Sequence, residues 1–377
     1  MADLRQRARD WLATTALPLW STVGVDARCG GFVERLSWSG EPDVDAAKRL
    51  RVQARQIYVF SHAKLLGLAA DGDAVAGHGY DFVRAYGFPD GIAGGAVHAV
   101  SRTGVVVDAK RDTYDHAFLL FAWSWYARAT DRDDVRRAVA ELGDATWALL
   151  GHPSGTGLVV DDQGTPGFHQ NPHMHLFEAV LAAWEATGEP IFLDRARTLF
   201  DLFQQRLFDR RAGVLREFYD DRWAPAAGSI GEVIEPGHHA EWVWLLDQYA
   251  QAVGEPLCDE AFRLYDFIER HGRNRAGTLL IDEVRPDGTV TKPSTRSWPQ
   301  TEALKAELVM ARLQDGVSAA RSDAIVATLF NRFLAHPVPG CWIDWIDTDG
   351  RPLVDRVPAS TFYHIFLALS EYLRARP

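Results

Sequence analysis

Cysteine is scarce. The 377 residues hold three, Cys29, Cys258 and Cys341, far apart and without CxxC or CxxH spacing. That excludes a disulfide framework and a zinc knuckle, and it fits a reducing, cytoplasmic compartment. Long apolar runs are missing too. No 18 uninterrupted apolar residues occur, and the N-terminal MADLRQRARDWLATTALPLW lacks an apolar core followed by a small-residue cleavage site. Neither a membrane span nor secretion is expected. Positive charge is in deficit: 40 Lys and Arg against 51 Asp and Glu leave a net charge of −11. This speaks against nucleic acid or an anionic membrane as partner. No GxGxxG, Walker, HExxH or GxSxG signature stands in a convincing place, which removes the simple nucleotide, zinc-protease and serine-hydrolase readings.

What is present is a chain that is 47% hydrophobic with 13 tryptophans, enough for a large core. Helical periodicity dominates and predicts twelve helices, near 2–16, 49–70, 74–86, 112–130, 133–149, 170–187, 189–207, 236–254, 256–272, 298–313, 319–335 and 360–375. Gly/Pro-rich pieces lie between pairs, and GTLLIDEVRPDGTV (277–290) and CWIDWIDTDGRP (341–352) read as short hairpins. Alternate helices begin about every 60 residues, as in repeat architectures. They are apolar on most faces, whereas partners such as VRRAVAELGDATWALL are amphipathic, as expected of an inner ring inside an outer one. The expected fold is all-α: a single (α/α)6 barrel over residues 1–377, with short β-hairpins in its loops.

Each inner helix opens with unusual polar residues: RVQARQ, TYDHAF, NPHMHLFEA, EPGHHAEW, WPQTEALKA and FYH. In a barrel of parallel inner helices these six starts meet at one rim, and convergence of His, Arg, Glu and Trp there is what an active site requires. His173 and His175 are two apart, so they face apart on a helix, which weakens a two-His metal site. His175 and Glu178 share a face, and His238 and Glu241 repeat that spacing. His238 is then the expected reactive imidazole, Glu241 its orienter or a substrate contact, and His239 a neighbour turned away. The helix N-terminus should lower the pKa of His238 and keep it neutral. His364 is the expected opposing base and Arg55 the cation for hydroxyls or an oxyanion. Tyr114, Asn171 and Gln300 suit hydroxyl groups, Trp298 a sugar face, and His116 is read as structural.

Together the six motifs resemble the N-acylglucosamine 2-epimerase superfamily, which also holds cellobiose 2-epimerases, mannose isomerases and sulfoquinovose isomerases. The likeness runs from about residue 50 to the C-terminus and itself implies an (α/α)6 barrel. The family's two catalytic histidines fall on His238 in PGH and His364 in YH. Its arginine, its HL-x-EA histidine and its GH-x-x-E carboxylate fall on Arg55, His175 and Glu241. Ser297-Trp298 replaces the tandem Trp of cellobiose epimerases, and Leu367 their YH-x-x-R arginine. The likeness is therefore closest to the mannose isomerase-like branch. It implies aldose–ketose isomerisation of a free monosaccharide, most simply D-mannose and D-fructose, through a cis-enediolate, with 2-epimerisation as the alternative. No cofactor and no metal are expected; the partner is a small sugar, and the chain a monomer or homodimer. Two rivals remain: an (α/α)6 glycoside hydrolase, for which only Glu178, Glu241 and Glu302 could serve, and a protein-binding scaffold.

Overall fold

Twelve helical segments, numbered in chain order, alternate between two rings in the computed structural model, which describes residues 2–313 and 319–375. The outer ring holds α1 (Ala2–Asp10, a π turn Trp11–Ala16, then Leu17–Thr22), α3 (Gly72–Tyr86), α5 (Asp133–Leu150), α7 (Pro190–Leu202), α9 (Asp259–Phe267) and α11 (Ala319–Thr328). Three of these run on into π turns, Phe203–Leu207, Ile268–Gly272 and Leu329–Phe333, so the helical stretches end within a few residues of the expected 207, 272 and 335. The inner ring holds α2 (Leu50–Leu65), α4 (Thr113–Thr130), α6 (Gln170–Thr187), α8 (Pro236–Val253), α10 (Ser297–Leu313) and α12 (Phe362–Ala375). The (α/α)6 barrel is as expected.

Burial separates the rings as the sequence pattern requires. In α8 the consecutive residues Trp242, Val243, Trp244, Leu245 and Leu246 are all buried. In α5 burial falls on Val135, Ala138, Val139, Leu142, Ala145 and Thr146, one helical stripe. Inner helices end on left-handed residues that release the chain outward: Asp131 (φ 55°), Gly188 (71°) and Gly254 (73°). The second helix stops at Leu65, short of the expected 70, and Gly67 follows at φ 68°.

The rim is sewn by short antiparallel pairings between successive loops, one per junction. Lys48–Arg49 pairs with Ala99–Val100, Asp112 bridges Asp161, Phe168–His169 pairs with Phe218–Tyr219, Ile234 bridges Val284, and Thr295–Arg296 pairs with Trp345–Ile346. The last, Arg35–Ser37 with Arg356–Pro358, joins the start of the chain to its end and closes the ring. This corrects one expectation. Segment 277–290 does form a hairpin (Glu283–Val284 with Val290–Lys292), but in 341–352 the strand pairs mainly with the preceding repeat and touches its own return only at Ile346–Pro352.

A second repeating device fixes where the inner helices point. Gln53, His116, His173, His239 and Gln300 recur about every 60 residues, and each grips the main chain of the preceding loop. Gln53 exchanges two bonds with Phe32, at 2.7 and 2.9 Å, and Gln300 two with Leu280, at 2.8 and 2.9 Å. His116 accepts from the Ala96 amide at 3.0 Å and His173 from Leu158 at 3.0 Å, while Nε2 of His239 lies 3.1 Å from the Leu215 amide nitrogen. Two residues further along stand Arg55, His175, Glu241 and Glu302, turned about 200° away at 100° per residue.

Candidate active site

Three buried imidazoles are each held from behind by a carboxylate. His238 places Nδ1 2.9 Å from both oxygens of Glu217, with Glu235 at 3.8 Å. His364 places Nδ1 2.9 Å from Glu302, and His175 places Nδ1 3.2 Å from Glu178. Among the described residues nothing bonds Nε2 of any of the three, so that nitrogen is left for a ligand.

Their charges differ. Burial opposes a proton on His238, but the charges of Glu217 and Glu235 override it and raise the pKa to about 9. Burial dominates at His364, with Arg55 and His175 adding to it against the Glu302 bond, and the pKa falls to about 3. His175 is held well below the ordinary value by burial and by the nearby Arg55 and His238. One ring is thus an imidazolium at neutral pH and two are neutral.

Arg55 is the unusual cation of the site. It is 7% exposed, its guanidinium lies 4.1 Å from the Phe118 ring centre, and it donates to the Tyr114 hydroxyl at 2.8 Å and the Ser360 carbonyl at 3.2 Å. Its Nε has no partner, and no carboxylate pairs with it among the described residues. The half-buried Trp298 ring touches both histidines, its centre 4.8 Å from that of His238 and 5.6 Å from that of His364. Tyr114, His169, Asn171, Glu217, Glu235 and His238 line a cavity of about 400 Å³ at this mouth of the barrel, within the size range of small-molecule sites. Asn171 Oδ1 is buried and unpartnered. A larger groove of about 700 Å³ lies outside, between the 273–281 loop and the 346–350 turn, and holds none of these groups.

Several expectations need correction. Gln300 is not a sugar contact: both ends of its amide are spent on the main chain of Leu280 and Arg296. Glu178 stands behind His175, accepts the Tyr363 hydroxyl at 2.6 Å, and is pushed up to about 7 by burial. Glu241 does not orient His238; its oxygens are unpartnered, the nearest imidazole is His175 at 3.9 Å, and burial with neighbouring Glu302 raises its pKa well above the usual range. Nor does the helix start keep His238 neutral, because a macrodipole end is weaker than a carboxylate in contact. His116 is structural and His239 turned away, as expected, and His173 likewise grips a loop.

The residue the motifs miss is Glu217. It precedes the Phe218–Tyr219 strand, and pairing with Phe168–His169 carries it under His238. Gln170 donates to it at 2.8 Å, and Trp242 in turn fixes Gln170 at 2.8 Å. A signal existed: Glu34, Asp282 and Asp344 stand in the same way just before the strands Arg35–Ser37, Glu283–Val284 and Trp345–Ile346. Two triads could offer a metal three ligands at the centre, His175–Glu178–Glu241 and Glu241–Glu302–His364, but the Lys305 ammonium, 2.5 Å from Glu302, already supplies a cation there.

The N-acylglucosamine 2-epimerase (GlcNAc 2-epimerase) family model matches residues 30–368. A Rhizobium meliloti (strain 1021) protein named mannose-6-phosphate isomerase is 38% identical over 96% of this chain and 94% of its own. A D-mannose isomerase of Thermobifida fusca is 27% identical over 73% and 71%. The solved structure of cellobiose 2-epimerase from Bacillus thermoamylovorans B4167 shares the fold, with a TM-score of 0.89 at 20% identity over 99% of this chain and 100% of that one. The chain therefore belongs to the N-acylglucosamine 2-epimerase family and is a sugar isomerase or epimerase.

Proposed function

We propose that the chain interconverts a free aldose and its ketose, D-mannose and D-fructose, through a cis-enediolate. The observation that carries this reading is one charged and one neutral imidazole against the same Trp298 ring, with a buried guanidinium that has no carboxylate partner among the described residues close by. Enolisation needs those parts: a base for a carbon acid, an acid for oxygen, and a fixed positive charge for the enediolate.

The steps balance as follows. In ring opening the His238 imidazolium gives its proton to O5 as the C1–O5 bond breaks, and the ring, now neutral, takes up the proton that the O1 hydroxyl loses, so that C1 becomes a carbonyl and His238 regains its charge. Neutral His364 removes the C2 proton of the open aldose while charge builds on O1, where Arg55 and Tyr114 stabilise it. The His364 imidazolium exchanges its proton with solvent and delivers one to C1, and the O2 hydroxyl proton moves to O1, leaving a C2 ketone. Trp298 and Asn171 hold the sugar, and Glu241 is free to take a hydroxyl. Reprotonation at C2 from the opposite face gives the epimer instead.

A sugar without phosphate suits the mouth. Apart from Arg55, the nearby cations are already paired: Lys110 with Asp112 at 3.3 Å, Arg51 with Asp115 at 3.4 Å, and Arg296 with Glu235 and Asp282 at 2.9 and 3.0 Å. Asp112, Asp161, Glu217 and Glu235 line the cavity, so a phosphate dianion would meet like charge. The test is a proton NMR time course in D₂O with mannose, fructose, glucose and N-acetylmannosamine. Fructose formed from mannose with deuterium entering at C1 is expected; no conversion and no exchange at C1 or C2 of any of them would overturn the reading.

A further inference from the structure

The two opposed histidines have the same immediate partner, a buried glutamate 2.9 Å from Nδ1, and yet opposite charge. Beyond Arg55 and His175 at His364 and Glu235 at His238, the surroundings of the two glutamates also differ one residue further back. Glu302 has a second buried neighbour: Lys305, wholly buried one turn along α10, brings Nζ to 2.5 Å from the other oxygen of Glu302 and 4.1 Å from the Trp244 ring centre. This is an ion contact rather than an aligned hydrogen bond. Among the described residues Glu217 has no such cation. Its bonds come from His238, from neutral Gln170 and, at 3.4 Å, from the Glu235 amide.

We propose that Lys305 is the positioning residue that decides which histidine is the base: by compensating Glu302 it leaves His364 uncharged, while uncompensated Glu217 keeps the proton on His238. The inference rests on the enediolate reading above. Every group facing the two rings bears on it. Around His364 these are Glu302 and Lys305 from α10, Arg55 from α2, His175 and Glu178 from α6, Glu241 from α8, and Tyr363 beside it. Around His238 they are Glu217, Glu235 with its partner Arg296, Glu241, His239 and His175. The first set holds two fixed cations, Lys305 and Arg55; in the second the only fixed cation, Arg296, is spent on Glu235 and Asp282. Without Lys305, Glu302 would charge His364 as Glu217 charges His238, and no base would remain at neutral pH.

The test has two arms on the full-length enzyme. In wild type, ¹⁵N-labelled histidine NMR at pH 7 should show His238 as imidazolium and His364 as neutral imidazole, assigned by the resonance lost in His364→Gln. Equal protonation of the two would overturn the inference, and this arm needs neither a Lys305 variant nor any turnover. In the second arm, Lys305→Met should lose about 10²-fold of its rate at pH 7, because the acid limb of the pH–rate profile moves from below neutrality up to about pH 9, where Glu217 holds His238. Lys305→Arg should restore both. A uniform loss at every pH with the limb unmoved would assign Lys305 a packing role only. Absence of sugar conversion at any pH defeats the enediolate reading instead, and the NMR arm tells the two failures apart.

Discussion

Glu217 meets His238 with both carboxylate oxygens at 2.9 Å from Nδ1, although the two residues come from different repeats. The contact fixes the tautomer, aims Nε2 at the chamber and holds a proton on the ring to about pH 9. A raised pKa means that the charged form persists until pH climbs through that value. If His238 acts as the acid, wild-type turnover should fall only above about pH 9. Glu217→Gln removes the charge but keeps the shape, so the falling limb should move toward neutrality while the acid limb stays. A pH–rate profile measures both.

Each histidine should matter on its own. General acid–base groups supply roughly 10²–10⁴ in rate, so His238→Ala and His364→Ala should each cost that much. His239→Gln should cost little, because its ring only grips the Leu215 main chain. Initial rates of fructose formation separate them.

Arg55 should show the opposite balance of stability and activity. It is a buried cation without a carboxylate partner, so Arg55→Met should leave thermal stability unchanged or raised. Turnover should fall by roughly 10²–10³, the scale of a lost oxyanion donor. Melting temperature and kcat on the same preparation test this.

The mouth electrostatics predict a preference between substrates. The value of kcat/KM for mannose should exceed that for mannose 6-phosphate by at least about tenfold, with the gap narrowing in high salt as like-charge repulsion is screened.

Acid stability should carry the signature of buried neutral histidines. His62 and His364 have values near 3, His173 and His239 near 4, all lowered first by burial. Below about pH 6.5 the unfolded chain takes up protons that these rings refuse, so stability falls from there down to about pH 3–4. His238 works the other way, and its contribution is lost between about 6.5 and 9. Replacing His239 with Gln, the residue that does the same job at 53 and 300, should make the acid limb shallower by one proton. Denaturation midpoints against pH measure the slope.

Much of this architecture was legible in the chain. The helical period located all twelve segments, because an inner helix must be apolar on every side and an outer one on a single stripe. The 60-residue spacing indicated a ring, and the polar starts identified the rim. Arg55, His175, His238 and His364 stand at one mouth because all sit in the first turns of parallel inner helices. The errors share one cause: helical periodicity tells which residues share a face of their own helix, but not what faces them. Glu241 has the right spacing for His238 and points to the barrel centre instead. Gln300 sits among polar motif residues, yet its amide is needed by a buried loop whose backbone would otherwise go unpaired.

The sequence by itself determined the number of helices, their order and the register of polar residues along each, since these follow from local periodicity and burial. Only the tertiary structure decided which carboxylate meets which imidazole. Glu217 reaches His238 through pairing of two-residue strands from different loops, and Lys305 reaches Glu302 only because α10 closes on the barrel axis. Proton affinity depends on charges a few ångströms away in space, and that distance is set by the closure of the ring rather than by separation along the chain.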